Sequence, residues 1–231
     1  MRAIVLDTET TGFEPAEGHR IVEIGAIELF NHLPTGQSFH HYLNPERAMP
    51  KEAFEVHGLG DDFLRNQPRF AEIAAAFLEF IGTETPLIIH NASFDMKFLN
   101  AELVWAGLPQ LAPDRALDTL LIARRRFPGS PASLDALCRR FGIDNSSREK
   151  HGALLDSEIL AEVYLELIGG RQPDFGLAPA ATPQNGAPAQ TDWHPRPRPA
   201  PLPPLLTAEE LSAHEAFVEK LGKAALWRYS S

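Results

Sequence analysis

A single cysteine in 231 residues excludes an intrachain disulfide. In Ser133-Leu134-Asp135-Ala136-Leu137-Cys138-Arg139-Arg140-Phe141 it falls on an apolar helical stripe with Leu134, Leu137 and Phe141, so Cys138 reads as core and not as a nucleophile. No window holds ~18 consecutive apolar residues, which excludes a conventional membrane-spanning helix. The segment Met1-Arg2-Ala3-Ile4-Val5-Leu6-Asp7 meets an acid before a secretory apolar core forms, so the expectation is a soluble, cytoplasmic protein. Positive charge is also scarce: 21 lysines and arginines face 31 acidic residues, a net charge of −10. Such a balance argues against holding nucleic acid mainly by neutralising phosphates. A nucleic-acid substrate would need positive charge from another source.

Proline is abundant but unevenly placed. Ten of the 20 prolines lie between Pro173 and Pro204, where neither a helix nor a strand ladder can propagate. This stretch reads as a disordered linker and divides the chain into a globular part, 1–171, the linker, 172–205, and a short tail, 206–231. Residues 1–171 carry 16 basic and 25 acidic groups and residues 172–231 carry 5 and 6. The acidity therefore belongs to the globular part. No internal repeat is found.

Hydrophobic patterning predicts strands at Ala3–Leu6, Ile21–Leu29 and Ser38–Leu43, consistent with an antiparallel meander. The pattern then changes. Phe70–Ile81 and Ser93–Trp105 have helical spacing, Pro86–Ile89 and Ala116–Asp118 read as short strands, and Ser133–Phe141 and Ala153–Ile168 read as helices. Strands alternating with helices predict an α/β fold, with a mixed five-stranded sheet flanked by helices. In the tail, Thr207-Ala208-Glu209-Glu210 fits a capping box, and Leu211, Val218 and Leu221 recur at helical spacing.

Three short segments carry candidate chemistry. Asp7-Thr8-Glu9 follows the first predicted strand, and its i, i+2 spacing turns both carboxylates to one side. Like charges so close call for a cation, although two solvated acids opening a glycine turn fit the same letters. Asp95, in His90-Asn91-Ala92-Ser93-Phe94-Asp95, and Asp156, in His151-Gly152-Ala153-Leu154-Leu155-Asp156, each fall in the first turn of a predicted helix. Either acid also reads as one that simply complements a helix dipole. An α/β sheet, however, gathers its strand ends into one crevice, where ligands bind. Four carboxylates brought together there form a hard oxygen site suited to Mg²⁺ or Mn²⁺, and no Cys or His cluster supports a zinc reading.

Asp7-x-Glu9, Asp95 and His151-x-x-x-x-Asp156 resemble the three motifs of the DEDDh exonucleases, a branch of the ribonuclease H-like fold. Val56-His57-Gly58, His90–Asp95, Ser133–Cys138 and Ile143-Asp144-Asn145-Ser146 extend the resemblance to the proofreading epsilon subunits of bacterial DNA polymerase III. It runs almost continuously over residues 1–170 and returns in the tail. The resemblance implies two divalent ions held by Asp7, Glu9, Asp95 and Asp156, with His151 as general base. It implies removal of 5′-monophosphates from a DNA 3′ end that is single-stranded or frayed. Glu52 and His57 would contact the terminal nucleotide near Phe94 and the Thr8–Thr11 backbone, with Asp7, Glu9 and Asp156 also against the substrate. The acidic surface would leave DNA delivery to the polymerase.

The resemblance also bears on partners. His214-Glu215-Ala216 and Leu226-Trp227-Arg228 resemble the segment through which epsilon subunits attach to the polymerase alpha subunit, which assigns 206–231 to that contact. Gln172, Phe175 and Leu177 have a spacing similar to sliding-clamp peptides, and an ordinary linker fits them equally. Arg124-Arg125-Arg126 reads as a solvated helix end in preference to a phosphate contact, and Asp118 receives no metal role. Two rival readings remain at this level: an RNA 3′ exonuclease of the same fold, since the catalytic set does not choose the sugar, and a non-catalytic polymerase adaptor.

Overall fold

A computed structural model describes residues 1–146, 150–170 and 207–222. Its five strands are β1 (Arg2–Thr10), β2 (Ile21–Phe30), β3 (Leu33–Tyr42), β4 (Leu87–Ile89) and β5 (Ala116–Asp118), arranged in the order β3-β2-β1-β4-β5. The first three form the antiparallel meander, and β4 and β5 add in parallel on the other side of β1. Parallel neighbours need crossovers. The helices that supply and flank them are α1 (Lys51–His57), α2 (Asp61–Leu64), α3 (Phe70–Ile81), α4 (Ala92–Trp105), α5 (Thr119–Arg126), α6 (Leu134–Phe141) and α7 (Ala153–Leu167).

Strand alternation divides the core in two. On β1, Ile4 and Leu6 join Leu87 and Ile89 in a cluster with Phe70 and Phe77 of α3 and Phe98 and Leu99 of α4. Val5 points the other way, with Ile88, into a second cluster built from Leu137 and Cys138 of α6 and Leu160 and Val163 of α7. Because both faces are covered, the Ala3–Leu6 stretch of β1 and the whole of β4 are continuous apolar runs. Cys138 is fully buried in the second cluster.

Three local features depart from the reading of the letters. The first strand runs on to Thr10, so Asp7 and Glu9 lie inside it and not beyond its end. The third begins at Leu33, directly after Asn31 and His32, both at positive φ, the hairpin conformation that Asn tolerates. Helices α1 and α2 were not predicted, being too short at 7 and 4 residues to show a period.

Residue contacts group 1–178 and 179–231 as separate units. In the second, α8 (Ala208–Leu221) starts in a capping box: Thr207 Oγ1 accepts from Glu210 N–H at 3.2 Å, and Glu210 Oε2 accepts from Thr207 N–H at 2.8 Å. Gln172, Phe175, Leu177, Trp227 and Arg228 lie outside the described residues, as does the expected linker. Among the described residues no helix is long and apolar enough to cross a membrane.

Candidate active site

The parity that divides the core also distributes the acids. Asp7 and Glu9 share the face of Val5, the one covered by α7, whereas Thr8 shares the face of Ile4 and Leu6, the one covered by α4. Thr8 Oγ1 donates to Asp95 Oδ1 at 2.7 Å, in the buried first turn of α4. β1 thus reaches acids from both layers through consecutive residues. Its register against β2 shifts between Glu9 and Thr10, a bulge at the point where the strand leaves the core.

The loop before α4 is braced from β5. Asn91 adopts a left-handed conformation (φ 65°) and its N–H donates to Asp118 Oδ1 at 3.2 Å, while His90 Nδ1 lies 2.9 Å from Thr119 Oγ1. Asp118 also caps α5, accepting from Leu120 N–H at 2.8 Å. Its carboxylate serves backbone donors.

On the other face, α7 is seated against a residue with no side chain. Asp7 pairs with Gly25 across β1 and β2, and a Cβ on Gly25 would lie 2.2 Å from the backbone of Ala153 and Leu154. Buried Ser157 completes the contact by donating to the Gly25 carbonyl at 2.9 Å. The first turn of α7 therefore lies directly over Asp7's neighbour, and that turn carries Asp156. Ahead of it, His151 Nδ1 is 3.3 Å from Asp156 Oδ2, and ligand atoms of Glu9, His151 and Asp156 all fall within 4.8 Å of one another. His151 N–H donates to the Val56 carbonyl at the end of α1.

Asp7, Glu9, Asp95, His151 and Asp156 line a single open cleft of about 700 Å³. Glu52 and His57 are not in it. They line an adjoining cavity of about 430 Å³, apolar on balance, which shares Thr8, Glu9, Phe13 and Phe94 with the cleft. His57 Nδ1 accepts from Leu59 N–H at 3.0 Å, so its proton is on Nε2, which is buried without a hydrogen-bond partner. Burial holds this imidazole below its ordinary pKa; the Thr10 backbone opposes the shift, and Lys150 and His151 add to it. Sequence reasoning misses Gly25, Phe13 and Asp135 as parts of the site; it places only the backbone of Thr8 there and prefers a solvated position for Arg124. Of these, Gly25 carried a signal, since an isolated glycine within a strand marks close backbone approach.

The donor set fits a hard divalent cation. Burial pushes the Asp95 carboxyl up to about 7; the Thr8 hydroxyl and nearby backbone N–H groups pull it back, and the Asp118 charge adds a smaller upward push. A carboxyl this buried, in a cleft with four further acids, holds its charge when a cation compensates it. Oxygen donors from Asp7, Glu9, Asp95 and Asp156 suit Mg²⁺ or Mn²⁺.

Comparison with known proteins agrees with this geometry. An exonuclease family model, RNase T, matches residues 4–164. The DNA polymerase III epsilon subunit of Rickettsia felis is 49% identical over 97% of this chain and 99% of its own. That of Escherichia coli is 45% identical over 98% and 97%. Among solved structures, Exonuclease X in complex with 5′-overhanging duplex DNA shares 25% identity, with a TM-score of 0.57 over 72% of this chain and 90% of that one. The nuclease domain of the DEDDh family member 3′hExo, bound to rAMP, shares the fold with a TM-score of 0.62 at 21% identity, over 72% and 91%. The chain belongs to the exonuclease family, among the epsilon subunits of DNA polymerase III.

Proposed function

We propose that the chain is the proofreading 3′→5′ exonuclease of a bacterial replicative polymerase, releasing mispaired 3′-terminal nucleotides as 5′-monophosphates. One observation carries the reading: four carboxylates from three separate elements, with His151, line one cleft that adjoins a nucleotide-sized cavity. Two divalent ions, Mg²⁺ or Mn²⁺, held by Asp7, Glu9, Asp95 and Asp156, would stabilise the attacking and leaving oxygens of the displacement. His151, half exposed on the rim of the cleft, takes the proton from the attacking water.

In the adjoining cavity the Nε2–H of neutral His57 donates to the terminal nucleotide, and Glu52 accepts from it. The walls admit one nucleotide and exclude its pairing partner. Unpairing costs least at a mismatch, so a site that accepts only a frayed end selects mispaired ends without reading them. The test is digestion of 3′-mismatched DNA, matched DNA and RNA by the purified protein with Mg²⁺, with and without chelator. Mismatched DNA is expected to be cut fastest, and a preference for RNA would overturn the reading. Because a ring nitrogen of His151 also lies near Glu9 and Asp156, a cation titration of His151→Ala separates the roles: a base leaves affinity intact, and a ligand does not.

The same reading places the protein in the cytoplasm, with residues 1–171 as the nuclease. Segment 206–231 would dock on the polymerase alpha subunit, and the linker, 172–205, would offer Gln172, Phe175 and Leu177 to the sliding clamp. What supports the docking role is α8 itself, a capped helix whose Leu211, Phe217 and Leu221 are exposed. A helix this short is marginal alone and gains stability by covering such a face.

A further inference from the structure

Arg124, Arg125 and Arg126 form the last turn of α5, where cations complement the helix dipole. The fold gives them different environments. Arg126 Nη1 donates to the Glu166 carbonyl at 2.8 Å and to that of Leu167, closing the end of α7. Arg124 instead lines the carboxylate cleft, on a part of it that the His57 cavity does not share, and makes no ion pair or hydrogen bond among the described residues. It is the only lysine or arginine among the described cleft residues, against Asp7, Glu9, Asp95, Asp135 and Asp156. Its helix is anchored by the Asp118 cap and by Thr119, which meets His90 of the loop that precedes Asp95. The helix that carries Arg124 is thus held relative to the acids by the contacts that brace the loop before Asp95.

We propose that Arg124 binds a backbone phosphate of the single strand on the 5′ side of the scissile bond. The inference rests on the nuclease reading. With the terminal nucleotide in the His57 cavity and the scissile phosphate over the carboxylates, the rest of the strand leaves along the cleft toward α5. There its next phosphate meets strong negative potential from the acids, and a guanidinium offers a paired N–H fork that matches phosphate oxygens.

The test compares two substrates at fixed Mg²⁺ for wild type, Arg124→Ala and Arg124→Lys. One is a thymidine decanucleotide, and the other is the p-nitrophenyl ester of thymidine 5′-phosphate, which has the scissile phosphate and no second one. For Arg124→Ala, KM on the decanucleotide should rise about tenfold, as expected for one lost charge-assisted hydrogen bond. The salt slope of log KM should also fall by about 0.7, the single-strand value for one phosphate contact. Arg124→Lys should keep the wild-type salt slope, and kcat/KM on the ester should stay within about twofold of wild type in both variants. Equal losses on both substrates would place Arg124 at the reacting centre and overturn the proposal, as would an unchanged decanucleotide KM. A wild-type protein inert on both substrates would overturn the nuclease reading and this proposal with it.

Discussion

Asp95 is buried by its own helix and strand, whereas Asp7 owes its place to strand parity alone, and this difference sets what each substitution does. Asp7→Ala removes one oxygen donor and relieves repulsion, so folding should survive while exonuclease turnover falls by at least about a hundredfold. Turnover measured at saturating Mg²⁺ checks it, and wild-type activity there would remove Asp7 from the ligand set. His57 makes a prediction about acid stability. Its folded-state pKa lies below the ordinary value because of burial, so in the interval up to about 6.5 the unfolded chain binds the extra proton. Stability therefore rises with pH through that interval and is lost on acidification. His57→Asn should flatten the slope of unfolding free energy against pH below about pH 6.5, by up to one proton. Denaturant melts at several pH values would show it, and an unchanged slope would mean that the imidazole is hydrated.

At the scale of elements, α7 and the β1–β2 pair are packed as one structural unit. The close approach at Gly25 sets how far Asp156 stands from Asp7, and the hydroxyl of Ser157 holds the distance. Gly25→Ala forces backbone to move, because the atoms that the new methyl meets belong to Ala153 and Leu154. The expected stability loss is about 1–3 kcal/mol, as for other overpacked sites. Turnover should fall further than stability, by about tenfold to a hundredfold, because displaced ligands lose the productive geometry. Thermal melts run beside rate measurements on the same preparation separate the two, and a variant with full rate would show that α7 adjusts without moving Asp156. The α4 loop is a second such unit: Asp118, His90 and Thr119 brace Asn91, and Asn91 starts the helix that presents Asp95.

For the whole molecule, the separation of a nuclease from a short tail predicts separable losses. Truncation after Pro204 should abolish co-elution with the polymerase alpha subunit and leave hydrolysis of short single strands within about twofold, since none of the cleft residues lies beyond Asp156. Co-elution of the truncated protein would refute the anchor. Phe175→Ala combined with Leu177→Ala should weaken clamp binding by about tenfold or more, as expected for two apolar anchors removed from a short peptide. Unchanged clamp affinity, read by surface plasmon resonance, would make that stretch a spacer. The net charge of −10 fits a protein that relies on a partner to bring DNA to it.

Much of this protein is legible in its letters because its signals are local. Apolar runs as unbroken as Ile4-Val5-Leu6 and Leu87-Ile88-Ile89 require a sheet covered on both faces, and Thr207 with Glu210 states a helix start outright. Asp7-x-Glu9, Asp95 and His151-x-x-x-x-Asp156 are undecided one by one as letters; their joint resemblance to a family's motifs singles out the residues that the fold brings to one cleft. What the letters do not hold is distance between elements. That Thr8 bonds Asp95, that Gly25 seats α7, that Asp118 serves backbone donors, and that Arg124 and not Arg126 faces the cleft all depend on how helices settle on a twisted sheet. Three adjacent arginines are alike as sequence, and only tertiary packing, which turns each by a helical step toward a different neighbour, decides what each of them meets.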